Sequence, residues 1–574
     1  MISHIRYELL PKRLETYEKY CKILRWGRAN PTRFMEDFLG VSLTDHQKWI
    51  LLSSWVASNC CWVCSRSSGK AECLNTKVYL ANGATNKSGK KQISSTIGQL
   101  KVGDRIYDES GKPVTVCHLN PIIFDEVYEV EFEDGEKIEC NADHLWYVFD
   151  RDFDKNNNYE DKWVLRNTDF IYHNFLRKRK DGHKDYRFHV PLTKPVEFAK
   201  NQRLPIDPYL LGLWLGDGTS ASNEITSHKD DKDEIIGYLY EKGCNIDGCV
   251  LQKKIENGEK VPKNCYKIKV GNIIEYRGEK TEPVDNAASR FRYKLKKMGL
   301  LNNKHIPDEY LYGDVEVRLE LLQGLMDTDG TVDKLGHCEF TQTRTELANQ
   351  VLELITSLGM DGTLTFKEHT NYIKKDGTEA HTWRIYFTAS KELPVFKMKR
   401  KYDKLPDHPL RNSQQKAIVN VRKTGERKAM RCITVANKSG LYLCGNKYTV
   451  THNSFMSAPL IMARSLLISN HNTYILAPSG SQAQETFTKM EDMAKGNIAS
   501  MIGVSNIFLE ECVKQNSGAD PFTHNKQSFS VSLYNGSTVN TLNSVAKNIV
   551  GIRSGFNKVV NVDVYRDVYD KIPF

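Results

Sequence analysis

A chain of 574 residues is too long for one hydrophobic core and predicts several domains. Hydrophobic residues at 40% and charged residues at 26% suit folded soluble domains and exclude long disorder. The formal charge of +10 permits a nucleic-acid partner without requiring one, and no apolar run reaches the length of a membrane span.

The opening MISHIRYELLPKR lacks the apolar stretch of a signal peptide, and the 14 cysteines are scattered, so the chain reads as cytoplasmic with reduced thiols. Next come LTDHQKWIL, which contains Gln47, and the apolar run NCCWVCS, which predicts a buried strand. Cys61 and Cys64 form a CxxC there, but no second pair follows at zinc spacing, so both belong to the strand. SRSSGK follows directly. A strand that enters a Gly-rich turn ending in Gly69-Lys70 is how a phosphate-binding P-loop begins, with backbone N–H groups and the lysine around the phosphates. The next residue should carry a hydroxyl for Mg²⁺. It is Ala71, and AECLNTKVYLANG then predicts strand and turn rather than helix.

The missing half begins at Ser454. SFMSAPLIMARSLLIS has helical apolar spacing and starts with the hydroxyl that the loop lacks. Joining Lys70 to Ser454 gives a strand, a phosphate loop and a helix in register, with Cys64 where the usual first glycine would stand. HNTYILAPSGSQAQETFTKMEDMAK adds a second strand and helix, which completes a βαβ unit. The insertion is thus residues 71–453, 383 in number, and the flanks keep 191 of the 574.

These flanks resemble the ATPase part of phage large terminases. The likeness rests on the early-Arg loop Ser65–Lys70, Gln47 where an adenine-reading Gln sits, APSGSQAQETF and NIVGIRSG. It implies a split α/β P-loop ATPase over 1–70 and 454–574. After joining, it would bind ATP and Mg²⁺ through Gln47, Arg66, Gly69, Lys70 and Ser454. It further implies a DNA-packaging motor in the cytoplasm of a bacterial host cell, with a terminase small subunit and a portal as partners. The pattern departs at its end: Asp563 is followed by Val564 where a Walker B strand should close Asp-Glu, and no nuclease domain follows, so this part reads as truncated.

The ends of the insertion carry the parts that protein splicing needs. A nucleophile must open the insert, a histidine must polarise the scissile amide, a terminal Asn must cyclise, and a hydroxyl or thiol must follow to receive the acyl chain. TVTHNS supplies His452, Asn453 and Ser454, and Ser454 is also the residue that restores the P-loop. The insertion resembles intein splicing blocks, which implies an all-β Hint fold in two halves, 71–149 and 396–453. LKVGDRIYDESGKPVTV looks like the early hairpin, with Gly103-Asp104 at its turn. CNADHLW resembles the block with the amide-polarising His144, with Asn141 in place of the usual Thr. RCITVANKSGLYLCGNKYTVTHN resembles the closing strands, with Cys432 where many inteins hold Asp or Cys near the centre.

Position 71 departs from that pattern. Counted back from Thr76, the nucleophile position falls on Ala71, which has no heteroatom. The simpler reading is a Cys-to-Ala precursor blocked in its upstream step. The alternative is the class of inteins that begin with Ala, in which Ser454 attacks the junction directly. A start at Cys73 would leave Ala71 and Glu72 in the product and the P-loop without its hydroxyl.

Inside the insertion one pattern occurs twice. IDPYLLGLWLGDG (206–218) and LLQGLMDTDG (321–330) each predict a helix with a central glycine, Gly212 or Gly324, and an Asp-Gly end. Asp207 suits the N-cap and Pro208 the first turn of the first copy. Packed side by side, such helices would bring Asp217 and Asp329 together at their C-terminal ends. Two converging carboxylates suit Mg²⁺ and phosphodiester hydrolysis. One copy alone would more often be a core helix. The pair resembles the LAGLIDADG (DOD-type) homing endonucleases and implies an α+β domain over 205–395, with Asp327 structural. It also implies double-stranded DNA as partner, the natural site being an intein-less copy of the terminase gene. A decayed endonuclease that persists only as a folded insert is the rival reading. Phe175–Lys180 and Lys397–Tyr402 are basic, aromatic candidates for DNA contact, and 150–204 predicts either a linker or a DNA-recognition addition.

Overall fold

The computed structural model describes residues 22–38, 48, 51–53, 55, 71–81, 92–120, 122–152, 163–178, 183–200, 203–256, 259–278, 287–368, 381–437, 439–452, 457–477, 484, 487–488, 490–491, 494–495, 507–513, 520–525, 528–543 and 557–561. Strands from both ends of the insertion build one nine-stranded sheet. Its order is Glu72–Cys73, Lys137–Cys140, Ile123–Phe132, Gln415–Arg431, Phe188–Pro191, Leu145–Asp150, Thr449–His452 and Leu441–Cys444, with Trp163–Asn167 against Leu145–Asp150. The segment EVYEVEF shows why. Tyr128, Val130 and Phe132 are buried, and the alternate Glu129 lies opposite Arg422, 2.9 Å from its Nε.

Two local expectations change here. Gly103 and Asp104 precede the early hairpin rather than turn it. The strands Arg105–Tyr107 and Pro113–Leu119 are joined through Asp108–Lys112, where Gly111 takes the positive φ of +75°. The Asp108 carboxylate organises that turn by accepting from the Ser110 and Lys112 N–H groups, both at 3.0 Å. Within 150–204, Trp163–Asn167 and Phe188–Pro191 are strands of the large sheet, and Leu176–Lys178 pairs with Lys184–Tyr186 as a hairpin beside it.

The second body repeats one unit. The helix Pro208–Asp217 leads into a three-stranded antiparallel sheet of Glu224–His228, Cys244–Glu256 and Glu259–Ile273. The helix Val315–Asp329 leads into a four-stranded one of Gly330–Val332, His337–Gln342, Thr363–Lys367 and Thr382–Thr388. Asp207 caps the first helix by accepting from the Tyr209 N–H at 2.9 Å, and Asp314 caps the second through the Val317 N–H at 3.2 Å. Leu210, Leu211, Leu213, Trp214 and Leu215 are all buried, so the first helix is enclosed on every side.

The flanks pack together. Arg28 from the N-terminal side donates from Nε to the Leu467 carbonyl, and the Arg464 guanidinium lies 5.1 Å from the Trp55 ring centroid. Asn472–Ala477 runs parallel to both Thr538–Asn543 and Asn557–Asn561, inside a five-stranded sheet. Among the described residues, no helix is long and apolar enough to cross a membrane.

Candidate functional site

Ala71 is buried in the large sheet and clasped by Asn141. The Ala71 N–H donates to Asn141 Oδ1 at 3.0 Å, and the Asn141 N–H donates to the Ala71 carbonyl at 3.0 Å. Asn141 stands where the family pattern has Thr, and as an amide it is able both to donate and to accept. Its side chain accepts at the junction and donates from Nδ2 to Asp125 at 3.1 Å.

His144 sits in the same buried centre. Its Nε2 shares a hydrogen bond with Thr451 Oγ1 at 2.6 Å and lies 3.4 Å from Glu72 Oε1. The Cys444 thiol donates to that same Glu72 oxygen at 3.5 Å. Thr168 holds the His144 backbone through its hydroxyl, at 3.1 Å from the carbonyl. Complete burial pushes the Glu72 carboxyl up to about 7, while the polar groups of Thr451, Cys444 and Tyr442 beside it pull it down. His452 is buried on the neighbouring strand, opposite Leu145 and Leu441. Residues from opposite ends of the insertion, 71–72 and 451–452, therefore meet around His144.

Cys432 is buried where Gln415–Arg431 gives way to Ile433–Val435, with its carbonyl accepting from the Asn120 N–H at 3.0 Å. Burial raises the Tyr442 phenol well above its ordinary value, and the nearby Glu72, Cys444 and Cys432 raise it further. Asn453, Ser454, Lys70, Gly69, Arg66 and Gln47 lie outside the described residues, as do Cys61 and Cys64.

The two Asp-terminated helices pack against each other through their glycines. A Cβ on Gly212 would stand 2.3 Å from the Leu321 carbonyl oxygen, and one on Gly324 would stand 2.3 Å from that of Tyr209. Only glycine allows that approach. At the shared C-terminal end, a Cβ on Gly216 would be 3.4 Å from Asp329 Oδ2. Burial and then the charge of Asp217 raise the Asp329 carboxyl to about 7, and burial also raises Asp217. Neither carboxylate accepts a hydrogen bond among the described residues. Two oxygen-donor groups held close without partners fit a hard divalent cation such as Mg²⁺.

Two lysines flank this pair, and no local sequence motif marks either of them. Lys304 donates to the carbonyls of Leu215 and Gly216 at 3.0 and 2.9 Å. Lys401 donates to those of Met326, Asp327 and Gly330 at 2.9, 2.7 and 2.7 Å. Each thus closes the C-terminal end of one helix, where the carbonyl dipoles favour a cation. Burial lowers both ammonium groups to about 8, against the pull of the aspartates. Asp327 has a structural place: it accepts from the Tyr209 hydroxyl at 2.9 Å and the Lys397 N–H at 3.1 Å.

The two basic clusters are largely engaged inside the protein. Arg177 lies 3.3 Å from Asp152 and 3.4 Å from Asp185, and residues 179–180 lie outside the described set. Lys397 pairs with Glu320 at 3.2 Å and Arg400 with Asp231 at 2.5 Å. Lys401 is the helix-closing lysine above.

Residues 316–397 match the LAGLIDADG-like domain. They hold the second Asp-terminated helix and its sheet, so the chain carries such a domain. A replicative DNA helicase DnaB from Mycobacterium intracellulare is 29% identical over 414 residues, covering 69% of this chain and 61% of that protein. The chain therefore spans under two thirds of that relative's length. Among solved structures, the MchDnaB-1 intein is 25% identical with a TM-score of 0.13, covering 19% of this chain and 62% of that one. The gp41-1 intein is 18% identical with a TM-score of 0.13, covering 24% of this chain and 91% of that one. At such TM-scores these likenesses carry no argument.

The terminase resemblance of the flanks finds no support in these comparisons, which bring up a helicase. The terminase identity, its small subunit and its portal are accordingly not carried forward. The flanks hold 191 of 574 residues, a third of the chain, so at least half of a match covering 69% falls within the insertion.

Proposed function

We propose that this chain is a precursor in which an intein carrying a LAGLIDADG homing endonuclease interrupts a P-loop ATPase. The observation that carries the splicing half is the meeting of Ala71, Glu72, Thr451 and His452 around His144 and Asn141. Splicing needs its two junctions at one catalytic centre, and a sheet built from both ends of the insertion supplies that. His144 would polarise the upstream amide, whose N–H Asn141 already holds. His452 would assist cyclisation of Asn453, and Ser454 would receive the acyl chain. Ala71 offers no atom for the first acyl shift, so the upstream step stays blocked unless Ser454 attacks directly.

The endonuclease half rests on Asp217 and Asp329 at the ends of paired helices that begin two matching units. They would hold Mg²⁺, which when bound would supply Lewis-acid activation of a phosphodiester and its attacking water. The chain's own contribution is the spacing of two carboxylates on packed helices, with the ammonium groups of Lys304 and Lys401 supplying positive charge at the helix ends they close. Double-stranded DNA is the partner, its site an uninterrupted copy of the host gene. For the host, a P-loop ATPase rests on the joined Gly69-Lys70-Ser454 and on the parallel strand triplet beyond the insertion.

The test is the mass of the products after Ala71→Cys. Splicing at these junctions gives a ligated chain of 191 residues and an excised one of 383. A ligated product that still contains residues 71 and 72 would place the start at Cys73 and sink the assignment of the centre.

A further inference from the structure

The splicing centre contains a carboxyl group, that of Glu72, to which no step of splicing assigns a role. Glu72 is fully buried directly after the upstream junction, and its carboxylate touches both halves of the site. Oε1 is 3.4 Å from His144 Nε2 and accepts the Cys444 thiol at 3.5 Å, and Oε2 has no hydrogen-bond partner in the buried interior.

The groups facing it come from each element packed around it. They are His144 ahead of Leu145–Asp150, Tyr442 and Cys444 on Leu441–Cys444, and Thr451 on Thr449–His452. Cys140 on Lys137–Cys140, Cys73 on its own strand and Arg431, the register partner of Glu72 on Gln415–Arg431, complete them; Arg431 makes no ion pair with the carboxylate. Among these described groups only His144 brings a positive charge within ion-pair distance of the carboxylate. A carboxylate without solvent and without an ion pair to a lysine or arginine is costly, so its proton must be kept or shared with that imidazole.

We propose that Glu72 is a positioning residue of the splicing reaction, exchanging a proton with His144 and tying the upstream junction to the strand that leads to the downstream one. This rests on the splicing reading given above. When Glu72 holds the proton, His144 is a neutral imidazole, hydrogen-bonded to Thr451. When Glu72 is ionised, its charge favours the imidazolium, the better donor to the scissile amide. The upstream step thereby follows the ionisation of a residue that takes no part in bond making. In the Ala71→Cys chain, the introduced sulfur bonds to the Lys70 carbonyl carbon as the C–N bond breaks, and the thiol proton ends on the freed amine. His144 delivers that proton, and Glu72 sets whether it has one to deliver.

The experiment uses the full chain with Ala71→Cys and Asn453→Ala, and reads release of residues 1–70 by an added thiol between pH 5.5 and 8.5. The expected parent profile has an inflection near neutrality. Glu72→Gln should lose it and slow release by about tenfold, while Glu72→Asp, with the charge on a shorter arm, should keep it at a reduced rate. Circular dichroism and a thermal melt report whether each variant is folded. An unchanged inflection and rate in a folded Glu72→Gln chain overturns the proposal and leaves splicing intact. Equally, a folded Glu72→Asp chain without the inflection overturns it. If the parent releases nothing with thiol at any pH, the splicing reading fails and takes this proposal with it.

Discussion

Asn141 and Ala71 hold each other by two hydrogen bonds of 3.0 Å, side-chain carbonyl to N–H in one direction and N–H to carbonyl in the other. The first bond holds the N–H of the peptide that joins the upstream flank to the insertion, and the second holds the carbonyl of the peptide after it. In the proposed splicing reaction the N–H side of the amide to be broken is therefore held before any chemistry starts, by a side chain from the same short turn as His144.

Removing that hold should be felt in the upstream step. In the Ala71→Cys background, Asn141→Ala leaves a buried N–H without its acceptor, at a cost of about 1–3 kcal/mol. Thiol-induced release of residues 1–70 should slow by about tenfold or more. An equal rate in a folded variant would mean that the clasp is structural and does not orient the scissile amide.

The downstream cut is independent of Ala71. Asn453 can cyclise while the upstream step is blocked, so the unmodified chain should slowly release the piece from Ser454 to Phe574. Asn453→Ala should abolish that release, read by mass spectrometry after long incubation. The same piece appearing at the same rate would assign it to ordinary proteolysis and remove Asn453 from the mechanism.

Legibility in the sequence followed how local each signal is. The paired helices were readable because a glycine at mid-helix and an Asp-Gly end lie on one short segment, and Gly212 and Gly324 do make the approach that such spacing predicts. Asp207 at the N-cap was readable for the same reason. Lys304 and Lys401 were not, since each reaches the end of a helix distant in sequence and nothing around it marks that reach. Glu72 and Thr451 were in view beside the junctions, yet only the pairing of remote strands brings them to His144. Gly103-Asp104 misled because a Gly-Asp pair makes turns of several kinds, and the hairpin uses Gly111 instead. The flanks show the limit of motif likeness, because a phosphate loop announces nucleotide chemistry without saying which motor uses it.

The close helix pair makes a sharp stability prediction. Gly212→Ala would force a methyl group to 2.3 Å from the Leu321 carbonyl, and the two backbones would have to separate. Such overpacking costs typically about 1–3 kcal/mol, and here it also moves Asp217 away from Asp329. DNA nicking should fall with stability. A Gly212→Ala chain as stable as the parent in urea, and as active, would show that the backbones are not in contact there.

The carboxylate pair predicts a dependence on pH and metal. Asp329 is raised from 3.8 to about 7 by burial and by Asp217. The folded site thus keeps a proton that the unfolded chain has released, so its contribution to stability is full below about pH 4 and is lost as pH rises to about 7. At pH 8 without metal, two charges stand together at the helix ends, with Asp217 exposed and Asp329 partly buried, and the helices should open more readily than the fold requires. Asp329→Asn removes one charge and keeps the shape. Amide exchange in Val315–Asp329 should then slow at pH 8 by about tenfold, the effect of about 1.4 kcal/mol, with little change at pH 4. Mg²⁺ should slow exchange in the parent at pH 8, because it neutralises both carboxylates, and should do far less in the variant. The same variant should bind DNA, with the salt sensitivity expected of phosphate contacts, while losing nearly all Mg²⁺-dependent nicking of an uninterrupted host gene. Asp217→Asn should behave alike, since one carboxylate cannot complete the site. Full nicking by either variant, or equal protection by Mg²⁺ in parent and variant, would remove these aspartates from metal binding. A parent that binds metal there yet cuts no such gene would be a folded endonuclease that has lost its target.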